Sequence, residues 1–399
     1  MDQRIEFTPV QVVTLTAVML LAFAASLGMP FNVDAIALSF STSNFDAGKV
    51  ASTELAAIAA GNLIFARLAS KMDPHRVYLF GALAIVGLNT ASLFATDIGD
   101  LLLLRAPAGF ALGAVVSTVM ATAARSATPE LTFGIINSMV GVMGMGLALV
   151  LPRALNAHEF ANAHLSIGGV VWNELDGLFA VYVLCSLAAL PFIRFTPGQS
   201  PASLQQGGGA PKGIGWLALF GLGIIFHGHG TLALFLVKIG REVPLDAEVV
   251  GYVMMAGAFI GIIAPLVAGY VGSRVKPLAP LLILTGLLTL SGLALSNLSG
   301  PMAFILATPV FAVLPTAFMP IMLGVLARLD PSGALAGSHP AFVLLGGALA
   351  PFVGGFISDT AGGFGANGGF AVFCFAVGLG LCWPVLWRAQ RPAAGSTGD

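Results

Sequence analysis

Charge is what this sequence has least of: Asp, Glu, Lys and Arg together make up 9% of its 399 residues, where soluble domains carry roughly 25%. So few charges cannot cover a water-facing surface. The net charge of −1 provides no basic field to attract a phosphate backbone, so nucleic acid is excluded as a partner. Cysteine is scarce too. Cys185, Cys374 and Cys382 all fall inside apolar segments with no C-x-x-C spacing, which makes them small packing residues and leaves no metal-type arrangement. Signatures of catalysis are missing as well: without a Walker sequence, a G-x-S-x-G elbow or an H-E-x-x-H pair, ATP hydrolysis and the familiar hydrolase mechanisms lack residues. An enzyme is not expected, and neither is a cofactor or a metal.

Apolar residues are what the chain has in abundance, at 57% with a mean hydropathy of +0.94. A membrane helix needs roughly 20 mostly apolar residues, and segments of that length follow one another nearly end to end. Breaks at polar, Gly and Pro residues give six spans near 10–29, 47–70, 76–95, 100–124, 131–152 and 174–194. Six more lie near 213–238, 246–273, 277–296, 301–327, 333–358 and 366–388. The first is expected to be retained as a signal anchor, because no small-residue cleavage site follows it. Thr196 to Lys212, rich in Gly, Pro, Ser and Gln, cannot pack a core and reads as a linker. The expected domains are therefore an N-terminal bundle over 1–194, a cytoplasmic linker over 195–212 and a C-terminal bundle over 213–399.

The two halves repeat weakly at an offset of 200 residues: Asp46, Ala47, Val50 and Gly61 match Asp246, Ala247, Val250 and Gly261. Arg76 likewise falls opposite Lys276. The expected fold class is an all-α membrane protein with twelve transmembrane helices in two six-helix pseudo-repeat bundles. With the N-terminus inside, twelve basic residues between Arg4 and Arg391 fall in cytoplasmic loops, against Lys49, Arg153, Lys238 and Arg241 outside. This bias predicts an inner-membrane protein with both termini cytoplasmic. Glycines four apart, such as Gly109 with Gly113 and Gly257 with Gly261, let helix backbones approach in lipid.

Arg105-Ala-Pro-Ala-Gly109-Phe-Ala-Leu-Gly113 resembles the R-x-x-x-G-x-x-x-G signature on the fourth helix of the major facilitator superfamily. The loop Ala66 to Arg76 resembles in part the G-x-x-x-D-R-x-G-R-R loop of that superfamily. Lys71 and Arg76 keep its basic groups, while Ser70 stands in place of the acid and Asp73 in place of the second glycine. The runs Asp46 to Ala60 and Leu326 to Gly333 are similar to bacterial members grouped with sugar-efflux or drug-efflux permeases. The resemblance implies a secondary transporter with a central cavity, and it gives Lys71 and Arg76 the role of a cytoplasmic gate.

An ionisable group inside a bilayer costs about 2.5 to 3.5 kcal/mol on insertion scales, so each one is a candidate site. Glu54 lies about seven residues into the second span, about 10 Å deep. Loss of water favours its protonated form, which makes it a candidate proton carrier, with a headgroup-level acid as the plainer alternative. Arg105, at comparable depth on the fourth span, is charged throughout and could pair with Glu54 or serve as a fixed strut. Asn32 and Asp34 follow the first span, either turned by a bend into the cavity mouth or solvated in an outer loop. His227 and His229 sit in mid-membrane beside glycines, as contacts for substrate or proton or as packing residues. Two residues apart, they point about 200° apart on a regular helix, so a shared metal would need unwinding. His339 beside Pro340 is a further candidate, and His158 and His164 belong to a long outer loop. The reading that follows is proton-coupled transport of a small organic solute by a monomer in the lipid bilayer, exporting by preference. Uptake by symport is the alternative, and a sensor without transport is the reading from another class.

Overall fold

The computed structural model of the chain describes residues 6–68, 72–123, 126, 129–164, 172–197, 213–298, 300–329 and 334–390. Every regular element among them is a helix. The chain divides into two compact units, Met1–Leu204 and Gln205–Asp399.

The first unit comprises α1 (Pro9–Leu27), α2 (Met29–Ser39), α3 (Asn44–Leu68), α4 (Pro74–Ser92), α5 (Ile98–Ala123), α6 (Pro129–Leu155), α7 (Ala157–His164) and α8 (Glu174–Ile193). The second comprises α9 (Ile214–Ala233), α10 (Leu236–Glu242), α11 (Ala247–Arg274), α12 (Leu278–Asn297), α13 (Pro301–Leu329), α14 (Ala334–Ala361) and α15 (Gly365–Gln390). Ten helical segments are long and apolar enough to cross a membrane. The other two long helices match them in length but carry more polar residues: Asp46, Lys49 and Glu54 in α3, His75, Arg76 and Asn89 in α4. With α3 and α4 the protein has twelve spans, six per unit. Large apolar side chains such as Leu103, Leu266 and Leu290 stand exposed on the outer helix faces, as a surrounding of acyl chains allows and water does not. Most of the linker expected over 195–212 lies outside the described residues. Phe195 and Thr196, however, pack with the first unit: the Phe195 carbonyl accepts from the Thr14 hydroxyl and the Thr196 carbonyl bonds His75 Nε2.

In each unit the first span is broken. The span expected over 10–29 ends at Leu27, bends at Gly28 and resumes as α2 to Ser39, because Pro30 has no N–H to continue the helix. Gly28 is also a point of close approach, since a β-carbon there would stand 2.1 Å from the Tyr182 hydroxyl of α8. In the second unit α9 stops at Ala233, the Phe235 N–H turns back to the Leu232 carbonyl, and α10 follows.

The sequence repeat has a structural meaning. Asp46 sits in the first turn of α3 and Asp246 caps α11, where a negative charge meets the positive end of the helix dipole. Val50 and Val250 are both buried. Gly61 faces the Phe110 carbonyl, with 2.3 Å of room for a β-carbon, whereas Gly261 has 3.8 Å to Val313. Corresponding helices thus pack in both units, α3 on α5 and α11 on α13, but at different closeness.

Candidate functional site

The buried charge of the first unit is concentrated where α3, α4, α5 and α8 meet. Along α5, Gly109 and Gly113 let the helix backbone touch α3: added β-carbons would lie 2.3 Å from the Glu54 carbonyl and 2.2 Å from the Ile58 carbonyl. One turn earlier on the same face stands Arg105. Its Nη2 donates to Glu54 Oε1 at 2.8 Å and its Nε to Oε2 at 3.1 Å, a two-pronged ion pair. Nη1 donates to Asn89 Oδ1 at 2.8 Å and to the Ser92 hydroxyl at 3.4 Å, both on α4. The guanidinium lies over the Phe179 ring of α8, 5.1 Å from its centroid. Glu54 and Arg105 are each 3% exposed. Glu54 lies ten residues into α3.

A fold-wide need does not explain the pair. At the equivalent positions of α11 and α13 stand the uncharged Met254 and Thr308, and α11 still packs on α13. A buried ion pair is in any case weak support for stability, because well-packed apolar residues of similar volume serve as well or better.

Asn32 and Asp34 require a correction of the outer-loop alternative: both are buried in α2. Asn32 bridges the break in the first span, its Nδ2 donating to the Ala25 carbonyl at 3.0 Å and its Oδ1 accepting from the Tyr182 hydroxyl at 2.7 Å. Met29 and Pro30 continue the chain as helix, which carries the two polar residues inward.

In the second unit α9 remains helical through both histidines, so their rings engage different neighbours. His227 Nδ1 bonds the Gly346 carbonyl of α14 at 3.0 Å, with the ring edge-on to Phe370. His229 Nε2 bonds the Phe311 carbonyl of α13 at 3.1 Å, and its ring stacks on Phe311 at 4.6 Å. That carbonyl is vacant within its own helix, since the residue four further on is Pro315 and has no N–H. His229 therefore closes a gap that proline opens. His339 is buried near the start of α14 with Nε2 unbonded. No cluster of metal-ligand type occurs among the described residues.

Of the gate residues, Lys71 lies outside the described residues. Arg76 is exposed and 3.9 Å from Asp73. Asp73 caps α4 by accepting from the His75 N–H, with Pro74 in the first turn, which gives the residue at the glycine position of the motif a helix-starting role. His158 lies in α7 and bonds the Leu155 carbonyl through Nδ1.

Sequence reasoning missed Asn89, Tyr182 and Asn367. Asn367 Nδ2 donates to the Thr231 carbonyl at 3.0 Å and the Gly354 carbonyl at 2.8 Å, closing the break of α9 much as Asn32 closes that of α1. The available signal was an amide inside an apolar run.

A search of curated proteins finds no sequence match. Solved transporters share the fold. A bacterial homolog of the human lysosomal transporter Spinster, inward-facing and unoccupied, aligns with a TM-score of 0.70 at 15% identity over 97% of this chain and 100% of its own. A point mutant of the nucleoside transporter NupG aligns at 0.73 and 11% identity, over 96% and 100%. A point mutant of the peptide transporter POT, in complex with sulfate, aligns at 0.70 and 14%, over 97% of both chains. The family model of the Major Facilitator Superfamily matches residues 14–338. With twelve spans in two units, a glycine-packed α5 and a match over most of its length, the chain belongs to the major facilitator superfamily.

Proposed function

We propose that this protein is a proton-coupled secondary transporter of a small organic solute, working by alternating access as a monomer in the inner membrane with both termini cytoplasmic. The observation that carries the reading is the Glu54–Arg105 pair, buried in one bundle and replaced by the uncharged Met254 and Thr308 in the other. A charge retained in only one of two packed repeats has a task beyond packing. Glu54 accepts a proton on its carboxylate and becomes neutral, and Arg105 keeps its charge. The two-pronged attraction between α3 and α5 then weakens to single hydrogen bonds. Release of the proton on the other side restores it, so the pair gives one bundle two states that a proton gradient can bias. Export is the preferred direction, on the resemblance to efflux permeases. Arg76 and Lys71 are assigned to the cytoplasmic gate.

Substrate contacts are proposed at His227, at Asn32 and Asp34 beside the first break, and at His339. His229 belongs to the same helix, and its bond to the Phe311 carbonyl supports a second task in holding α9 to α13.

The test begins with a thermal-stabilisation screen of small organic compounds on the purified protein. A compound that stabilises it is then offered to proteoliposomes with an imposed proton gradient. Accumulation that collapses with a protonophore, and that fails in Glu54→Gln while exchange persists, is the expected result. Gradient-driven accumulation by Glu54→Gln at the wild-type level removes Glu54 from the mechanism.

A further inference from the structure

Arg105 has to stay in place through a cycle that removes its counter-ion. Two of its donors go to Glu54, and the remaining contacts come from α4 and α8. Asn89 supplies the shortest of these at 2.8 Å, and it is 1% exposed. The orientation of its amide is fixed by chemistry: a guanidinium N–H can only donate, so the oxygen faces it and the NH2 points away. That Nδ2 is buried without a hydrogen-bond partner. An unmet buried donor is unfavourable, so Asn89 stands at this position for its oxygen at the expense of its nitrogen. A neutral oxygen also leaves the charge state of the cluster to Glu54 alone.

We infer that Asn89 is the positioning residue of the coupling pair, holding the Arg105 guanidinium while Glu54 carries its proton and setting how readily that proton binds. This rests on the reading of Glu54 as the proton carrier. Few other groups compete for control. On α8, Tyr182 is the titratable side chain electrostatically linked to both members of the pair, and Cys185 lies within reach of Tyr182. From α2, packed on α3, the acid is the buried Asp34. On α4, His75 and Arg76 lie at the opposite end of the helix, and α1 has no ionisable residue. On α5, Asp100 accepts from Thr96 in the first turn, and on α6 Arg153 bonds the Leu149 carbonyl.

The experiment needs no substrate. Full-length protein in nanodiscs is titrated by infrared spectroscopy, and the protonated carboxyl band missing from Glu54→Gln reports Glu54. Asn89→Asp places a second carboxylate on Arg105, and like charge favours protonation, so the Glu54 midpoint moves to higher pH by about one unit, a tenfold change in proton affinity. Asn89→Leu removes the neutral oxygen, leaves Arg105 leaning on Glu54, and moves the midpoint down. Either variant decides if the other fails to fold, and opposite shifts are not what a plain packing residue gives. An unmoved midpoint in a folded variant overturns the inference and leaves the proton reading standing. Absence of any Glu54 band between pH 4 and pH 10 overturns that reading first, and this inference with it.

Discussion

At the scale of single residues, the cost of a charge in lipid makes some side chains easy to find and others hard. Glu54 and Arg105 were legible because an acid and an arginine interrupt apolar runs, and because Arg105 opens a recognisable glycine motif. Their partnership was conjecture until the helices were packed. Asn89 and Tyr182 were not legible, since an amide or a phenol inside a span carries no sign of which neighbour it faces. His229 shows the same limit: what it answers is a carbonyl left open by Pro315, 86 residues away in sequence and visible only across α9 and α13. Replacing His229 by Ala orphans that carbonyl, and the expected loss is about 1 to 3 kcal/mol, read as a fall in melting temperature in detergent. His229→Gln, which can still donate, should recover part of it. If the Ala variant melts with wild type, the bond contributes nothing. Removing Arg105 as Ala strands the buried Glu54, and a larger loss of about 3 to 5 kcal/mol is expected. The double variant Glu54→Leu with Arg105→Met should regain most of that stability while losing coupling, a separation that transport and thermal melting measure independently.

At the scale of helices, glycine sets how close two spans can come, and closeness decides whether a side chain of one can reach the other. Gly61 and Gly261 occupy matching positions of the repeat, yet a methyl group meets a backbone oxygen at 2.3 Å in the first and a valine methyl at 3.8 Å in the second. Gly61→Ala is therefore expected to cost about 1 to 3 kcal/mol by overpacking, and Gly261→Ala close to nothing. Equal melting temperatures for the two variants would contradict the packing described. Helix count and most boundaries followed from hydropathy, because each span must satisfy its backbone internally. The breaks in the first span of each bundle did not. Pro30 announced one of them, but the second, at Phe235, has no proline or glycine beside it and depends on Asn367 from α15 to complete the Thr231 carbonyl. Local sequence could not signal a partner 136 residues away.

At the scale of the whole molecule, the bias of basic residues predicts orientation. A reporter fused after Arg388 should behave as cytoplasmic and one inserted near Ala163 as periplasmic; a periplasmic signal from the C-terminus would reverse the assignment. Duplication was legible from four identities, since those positions start a helix, bury a side chain or face the neighbouring helix in both units. What duplication hid is that the halves differ in buried charge, with Glu54 and Arg105 in one and Met254 and Thr308 in the other. The ion pair also bears on how the protein is made. Glu54 leaves the ribosome 51 residues ahead of Arg105, which at synthesis rates of about 5 to 20 residues per second is about 3 to 10 seconds. Throughout that interval one of the two most polar spans carries an acid without its counter-charge. The second span is thus completed in lipid only when the fourth arrives, and a nascent chain cut short before Arg105 should be the form of this protein that cellular quality control removes.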